Sequence, residues 1–488
     1  MESNNNNNIN NNKNNYNKNN KPFPFNYRNF IPNIDQNKIE NTLSDKNKYI
    51  RVIQYNILCD SLLKATTKLT EESIKKFDFY KWENRKQRIF DELKNLDGDL
   101  IGFEEFERDE NFIKEFNQIG YEFLFKPRTG EHSEGCALLY KENKFNLIEV
   151  YTLNFNMNVL SEKDQSEIYN RDNIALFGVF NLKSDENSII ICCFSHILFN
   201  LGRGDIKLGQ VYQIFQTFEI FKEKYNNKKV NIFLLSDLNA IPKSGVYKLI
   251  TTGELDCNKI NKYKLSGQDQ GNLQYISPPT KIKTFLLNKI TGIYTHDTKE
   301  NNNNNYDNNK FFNSNENVRW FNEICRISPS ISDNKIILKY KEKYVYKDND
   351  LILKLPFSME SAYSKLARKI FSFLSENKNS ELPFNIIDNK NIVNNIEVNG
   401  IKMGLNEINK TSTFIKKLTL DLPMTNYVNN TIGTTDFIFY YSEPKNLEVV
   451  RILNIPNIFE IVFDIGFMPN HIFPSDHLSL CADFVITN

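Results

Sequence analysis

Val230-Asn231-Ile232-Phe233-Leu234-Leu235-Ser236-Asp237-Leu238-Asn239 is the stretch that decides the fold. Residues 230–235 are apolar except for Asn231, and they run straight into Ser-Asp-Leu-Asn. An apolar run this short, bounded by turn-forming residues, reads as a strand covered on both faces, and so as a central strand of its sheet. Its acidic and amide side chains then fall on the rim of that sheet. Three other places repeat the design. Tyr55-Asn56-Ile57-Leu58 closes the strand-like run from Tyr49, Phe103-Glu104-Glu105 closes the run from Leu100, and Ser475-Asp476-His477 opens the run Leu478–Phe484. Amide, carboxylate and imidazole groups gathered on one rim suit a hard cation with a phosphate partner.

Working outward, Asp205–Tyr225 reads as a helix, with Val211, Phe215 and Phe218 on one side and Asp205 favouring its start. Lys81–Leu96 is a second helix, with Trp82, Ile89, Leu93 and Leu96 on its apolar face. Further strands are expected at Tyr121–Phe125, Ala137–Tyr140, Ile174–Phe180, Ile189–Phe194 and Phe437–Tyr441. Strands outnumber helices and alternate with them, which points to an α/β sandwich of two sheets with helices outside.

The chain has 488 residues, and Asn-rich tracts occupy part of that length. Residues 1–47 read as a disordered Asn-rich leader, because such tracts bury too little to offset the entropy of ordering. Residues 48–488 read as a single domain with insertions at about 271–354 and 365–425, where no register is visible. Lys+Arg number 61 and Asp+Glu 60, a balance that argues against coating nucleic acid by bulk charge while allowing a local phosphate pocket. The seven cysteines lack CxxC spacing and read as reduced thiols, which favours a cytoplasmic location with the nucleus as a second compartment. No run suggests a membrane span.

Hydrolysis of a phosphodiester needs a cation on the non-bridging oxygens, a base for water and donors for the developing charge. Glu105 is the expected metal carboxylate and Asn56 its amide companion. Magnesium suits these ligands, with manganese as a substitute. Asp237 is the expected base. Asn239, two residues on along an extended segment, is placed to donate to a phosphoryl oxygen. His477, kept protonated by Asp436 behind it, is a phosphate donor, and His196 is a second. Asn173, Asn200 and Asp476 are candidate substrate contacts.

In order, Tyr55-Asn56-Ile57-Leu58, Glu104-Glu105, Ser195-His196, Ser236-Asp237-Leu238-Asn239, Asp436-Phe437-Ile438-Phe439 and Ser475-Asp476-His477 resemble the endonuclease/exonuclease/phosphatase superfamily, the DNase I-like fold. Glu134-Gly135-Cys136-Ala137, Arg171-Asp172-Asn173, Arg203-Gly204-Asp205-Ile206-Lys207-Leu208, Leu265-Ser266-Gly267-Gln268 and Pro356-Phe357-Ser358-Met359-Glu360-Ser361-Ala362-Tyr363 resemble its angel branch, beside nocturnin and the carbon-catabolite-repressor-type deadenylases. The resemblance implies a four-layer α/β sandwich with two central mixed β-sheets and a magnesium-dependent phosphoesterase. It implies an RNA substrate held by its 3′ end, with 3′-5′ exoribonuclease hydrolysis as the leading activity. Removal of 2′,3′-cyclic phosphate, or a non-catalytic RNA-binding scaffold, are the alternatives. Glu104 stands where the family usually has Gln, Ser236 where it has Gly, Ser195 where it has Thr, and Ser479 where it has Pro. The adenine-stacking pair of the deadenylases falls on Thr431 and Leu201, and a Thr cannot stack on a base, so strong poly(A) preference is not expected.

Overall fold

In a computed structural model of the protein, the described residues are 28–32, 49–67, 70–157, 171–200, 202–242, 244–257, 260, 265–266, 352–365, 397–398, 401–402, 425–428, 431–456 and 468–487. The strands in chain order are β1 (Phe30–Pro32), β2 (Tyr49–Asn56), β3 (Leu100–Glu107), β4 (Tyr121–Pro127), β5 (Glu134–Lys141), β6 (Phe145–Asn154), β7 (Ile174–Leu182), β8 (Asp185–His196), β9 (Lys229–Asp237), β10 (Glu254–Asp256), β11 (Ile352–Lys354), β12 (Glu360–Ser361), β13 (Glu397–Val398), β14 (Ile401–Lys402), β15 (Asn426–Val428), β16 (Thr431–Gly433), β17 (Asp436–Glu443), β18 (Leu447–Leu453) and β19 (Leu480–Ile486). The helices are α1 (Asp60–Thr67), α2 (Glu71–Lys76), α3 (Trp82–Leu96), α4 (Glu110–Gln118), α5 (Gly204–Lys224) and α6 (Gly245–Thr252).

Two mixed sheets carry the fold: a seven-stranded one in the order β1-β18-β19-β2-β3-β5-β4 and a six-stranded one in the order β12-β17-β9-β8-β7-β6. Each contains one parallel pair, β2/β3 in the first and β8/β9 in the second, joined by a helical crossover. β9 lies between β8 and β17, the central place its apolar run requires.

Side-chain alternation explains the layering. On β2, Ile53 and Tyr55 face outward with Ile101 and Phe103 of β3, where α3 and α4 cover them with Ile89, Leu93, Phe112 and Phe116. On the second sheet, Phe177 meets Phe218 and Phe221 of α5, and Phe437 and Phe439 meet Tyr247 of α6. The other faces meet each other: Tyr140 packs on Phe180, and Phe484 packs on both Phe233 and Tyr440. Helix, sheet, sheet, helix is the four-layer sandwich.

Two boundaries differ from expectation. The leader is not wholly without structure, because Phe30–Pro32 pairs with Leu453–Arg451 as an edge strand. Charged side chains anchor it together with Phe30, which packs against the outer core. Arg28 bonds Ser479 and pairs with Glu92, and Phe30 lies under the guanidinium groups of Arg51 and Arg451. The stretch about 271–354 also ends inside the fold, since Ile352–Lys354 pairs with β10. The Asn-rich tract at 301–317 lies outside the described residues.

The sheets pack tightly where β3 crosses β8. A Cβ built on Gly102 would lie 1.7 Å from the Phe194 ring. Gly102→Ala should therefore lower the unfolding free energy by about 1–3 kcal/mol through overpacking. Urea denaturation of the variant checks this, and Gly102→Ala with Phe194→Leu should recover part of the loss.

Candidate active site

At one rim the inner faces of both sheets turn polar. On β2 the inward series Ile50, Val52 continues as Gln54, Asn56; on β9, Leu235 is followed by Asp237; on β8, Phe194 is followed by His196. β17 enters at the same end, because it is antiparallel to β9 and Asp436 pairs directly with Asp237. His196 pairs with Asp237 from the other side. This is the end where both parallel pairs finish, the usual place for a ligand crevice in an α/β fold.

Glu105 arrives by a different route from the one expected. β3 does not end at Phe103 but continues to Glu107, and its pairing with β5 slips between Phe103 and Phe106. Phe103 and Phe106 both stay in the outer core. Glu104 and Glu105 are thus the two residues of a β-bulge, and Glu105 adopts a φ of 52°. That left-handed backbone is strained for a non-glycine residue, and it turns both carboxyl groups inward.

Two amides on β2 receive these acids. Asn56 Nδ2 lies 3.1 Å from Glu105 Oε1 and 3.2 Å from Asp237 Oδ2. Gln54 Nε2 lies 2.9 Å from Glu104 Oε2 and 2.9 Å from Asp436 Oδ1. Each amide thus bridges a glutamate of one sheet and an aspartate of the other.

His477 stands just before β19 on a loop fastened to β2. Ser475 Oγ donates to the Asn56 carbonyl at 2.7 Å, and Arg85 donates to the Ile57, Leu58 and Pro474 carbonyls. His477 Nδ1 meets Asp436 Oδ2 at 2.8 Å, so Asp436 stands behind the ring as expected. Burial opposes the charge on His477. The carboxylates of Asp436, Asp476 and Asp237 outweigh it and hold the pKa well above the ordinary value. Asp436 in turn is lowered: burial opposes ionisation, but His477, Thr425 and Gln54 overcome it. The Asn426 amide nitrogen is 2.6 Å from His477 Nε2. A protonated ring needs an acceptor there, so the amide is best turned to offer its oxygen, which is otherwise buried and unpaired.

His196 has the opposite charge state. Burial, Arg128 and His477 push its pKa down to about 3. The neutral ring accepts from Asn239 Nδ2 at Nε2, 2.8 Å away, and turns Nδ1 toward Glu105 Oε1 at 3.8 Å. Only Nδ1 is then left as a donor. Asn239 does not sit on an extended segment: its φ is 45°, its N–H bonds Asp237 Oδ1, and its amide also donates to the Ile197 carbonyl. Donation from Asn239 to a phosphoryl oxygen requires exchanging one of these bonds. Lys207 is wholly buried, donates to the Asn239 carbonyl, and is lowered by burial to about 7 against the pull of Asp237 and Asp205.

The three candidate substrate contacts separate. Asp476 is buried beside His477, with 3.9 Å between Oδ2 and Nε2. Asn173 uses its amide on the His196 carbonyl at 2.9 Å and so steadies the end of β8. Asn200 is exposed beyond it and caps a turn through Gly202 N. Leu201 and the Thr431 side chain lie outside the described residues. Sequence reasoning missed Gln54, Thr425 and Asn426. Gln54 was visible by period two from Asn56. Thr425 and Asn426 lie at and just beyond the end of the stretch 365–425, which offered no register.

The residues fit a divalent cation. Glu105 Oε2 is buried with no partner. Glu105 is pushed up to about 8 by burial and Asp476, and Asp237 to about 7 by burial and Asp436. Crowded, buried oxygen ligands that bind protons this tightly are what a hard cation relieves. Asp237, Asp436 and His477 also offer atoms within 4.8 Å of one another. The proton on His477 and its bond to Asp436 make that trio a poorer cation site than the one at Glu105.

The chain belongs to the endonuclease/exonuclease/phosphatase family, whose model matches residues 53–477. Members of that family are metal-dependent. Among curated proteins it is similar to carbon catabolite repressor protein 4 homolog 3 of Arabidopsis thaliana, 31% identical over 44% of this chain and 46% of that protein. It is also similar to human protein angel homolog 2, 28% identical over 49% of this chain and 43% of that protein. The chain thus spans under half the length of these relatives. Among solved structures it resembles ANGEL2, a 2′,3′-cyclic phosphatase, in complex with adenosine-2′,3′-vanadate, with a TM-score of 0.56 and 20% identity over 94% of this chain and 99% of that one. That likeness establishes the DNase I-like fold. No described helix is long and apolar enough to cross a membrane.

The raised carboxyl groups set a pH dependence. Glu105 and Asp237 bind protons more tightly folded than unfolded, so their contribution to stability is full below their ordinary values of 4.5 and 3.8. It is lost as pH rises through about 8 and about 7. A cation that needs both deprotonated should stabilise more as pH climbs through that window. The rise in Tm on adding magnesium should be larger at about pH 8.5 than at about pH 5.5. An equal rise at both, read by scanning calorimetry, would count against this cation site.

Proposed function

We propose that the chain is a magnesium-dependent phosphoesterase that acts on the 3′ ends of RNA. The observation that carries this reading is the convergence of Glu105 and Asp237 on one amide, Asn56, beside the protonated His477. Similarity to angel and carbon catabolite repressor 4 homologues supports RNA as the substrate.

Glu105 would hold magnesium, or manganese in its place, with Asn56 able to join it only through Oδ1, which now accepts from Leu58 N, and the bound ion would supply charge neutralisation to the phosphate oxygens. Asp237 takes the proton of the attacking water; its pKa near 7 makes it a base matched to neutral pH. Asn56, bonded to Asp237 Oδ2, aims that carboxylate. His477 exchanges its Nε2 bond to Asn426 for a non-bridging oxygen, donates Nε2–H to it and stabilises charge as it builds. Asp436 keeps the ring charged and fixes its tilt. Asn239 and His196, bonded to each other, form the wall from which a donor meets the phosphoryl group.

These groups act on any phosphoester set against them, so they serve 3′-5′ exonucleolytic cleavage and 2′,3′-cyclic phosphate opening alike. The shared fold with a 2′,3′-cyclic phosphatase favours carrying the second reaction beside the first. RNA labelled at its 5′ end, bearing either a 3′ hydroxyl or a cyclic phosphate and incubated with magnesium or EDTA, separates them. Laddering marks the exonuclease, and loss of the cyclic end without shortening marks the phosphatase. Glu105→Ala and Asp237→Ala should each lower turnover by about a hundredfold or more. A wild-type chain inert in both assays would leave a binding scaffold of the same fold.

A further inference from the structure

Gln54 is wholly buried on β2, one inward position before Asn56. It is not expected to touch a phosphate, and yet both N–H groups of its amide are given to the site, while Oε1 is buried without a partner. Nε2 is forked between Glu104 Oε2 and Asp436 Oδ1, both at 2.9 Å. The two oxygens of Asp436 are treated differently. Oδ2 receives His477 Nδ1 at 2.8 Å, Thr425 Oγ1 at 2.6 Å and Thr435 Oγ1 at 3.0 Å. Oδ1 receives Gln54. A carboxylate held at both oxygens has a fixed plane, and a fixed plane sets the tilt of the imidazole bonded to it.

We infer that Gln54 is a positioning residue, which acts through Asp436 to fix the orientation of His477 and keeps the Glu104 and Asp436 carboxyl groups apart. The geometry favours this over simple core filling. Gln54 lies inside a layer whose preceding members, Ile50 and Val52, are apolar. An apolar side chain there would take from Asp436 Oδ1 and Glu104 Oε2 the donor that both now share. Two rungs then act in parallel from one strand: Asn56 aims Asp237, and Gln54 aims Asp436.

The inference rests on the reading that His477 and Asp436 act on the phosphate, and the test separates the two. kcat is measured on the RNA 3′-end substrate for the wild type, Gln54→Met, Asp436→Asn and the double variant, with the fold of each checked by thermal melting. Gln54→Met alone should lower kcat about tenfold or more, the scale of a lost buried bond to a charged group. On the Asp436→Asn background the same change should cost less than about twofold, because its effect already runs through Asp436. An equal loss on both backgrounds would mark a merely structural side chain and overturn the inference, as would full kcat in Gln54→Met. If Asp436→Asn itself keeps wild-type kcat, the reading of the pair falls and this inference with it. Should Gln54→Met fail to fold, Gln54→Asn enters the same cycle, since it keeps an amide but withdraws it by one methylene.

Discussion

Too much negative charge in too little water is the constraint on which this structure depends. Glu104, Glu105, Asp237, Asp436 and Asp476 all reach the gap between two sheets, and each of them is buried or nearly so. Unpaired buried charge costs several kcal/mol per group even after relaxation. Three devices make the cluster tolerable. The imidazolium of His477 answers three of the acids at once. The amides of Gln54 and Asn56 separate each glutamate from the aspartate opposite. The acids that burial disfavours most, Glu104 and Glu105 among them, then hold their protons more tightly than they would in water.

The sandwich exists to hold that arrangement in register. Asp237 and Asp436 are direct partners across β9 and β17, so their separation is set by a backbone ladder rather than by flexible loops. Gln54 and Asn56 are two apart on one strand, and the pleat puts both on the same face. Errors of one residue in any of these strands would turn the acids into the apolar outer cores. The tight approach at Gly102 and Phe194 matters for the same reason, because it brings the sheets close enough for side chains on one to bond side chains on the other.

Much of this was legible because strand periodicity is legible. The run Val230–Leu235 implies β9 and its central place, and Tyr49–Asn56 implies β2 with its true limits. Other features answered to forces that a single sequence does not display. The bulge at Glu104-Glu105 looks like a strand end, because two adjacent acids break an apolar alternation in the same way that a loop does. Thr425 and Asn426 owe their place to long-range pairing: Leu478 N bonds the Thr425 carbonyl, and Asn426 bridges His477. β1 is held by cation–π and ion-pair contacts to distant arginines and Glu92, which leave no periodic trace in a three-residue strand.

Glu104 shows how a change of letter can spare the chemistry. A glutamate where the family usually has glutamine adds a charge on paper, beside the carboxyl group best placed to bind a cation. Inside this gap the charge is disfavoured. Burial first, then Asp436 and Asp237, hold the Glu104 pKa well above the ordinary carboxylate range. A protonated carboxyl group offers one donor and one acceptor on a side chain the length of glutamine, which is nearly what the amide offered. Its Oε2 accepts from Gln54, and its other oxygen is buried without a partner. The proton therefore belongs to the fold as much as Gln54 does. Removing it would bury an anion beside the carboxylates of Asp436 and Asp237, and burial first, then those two charges, oppose that.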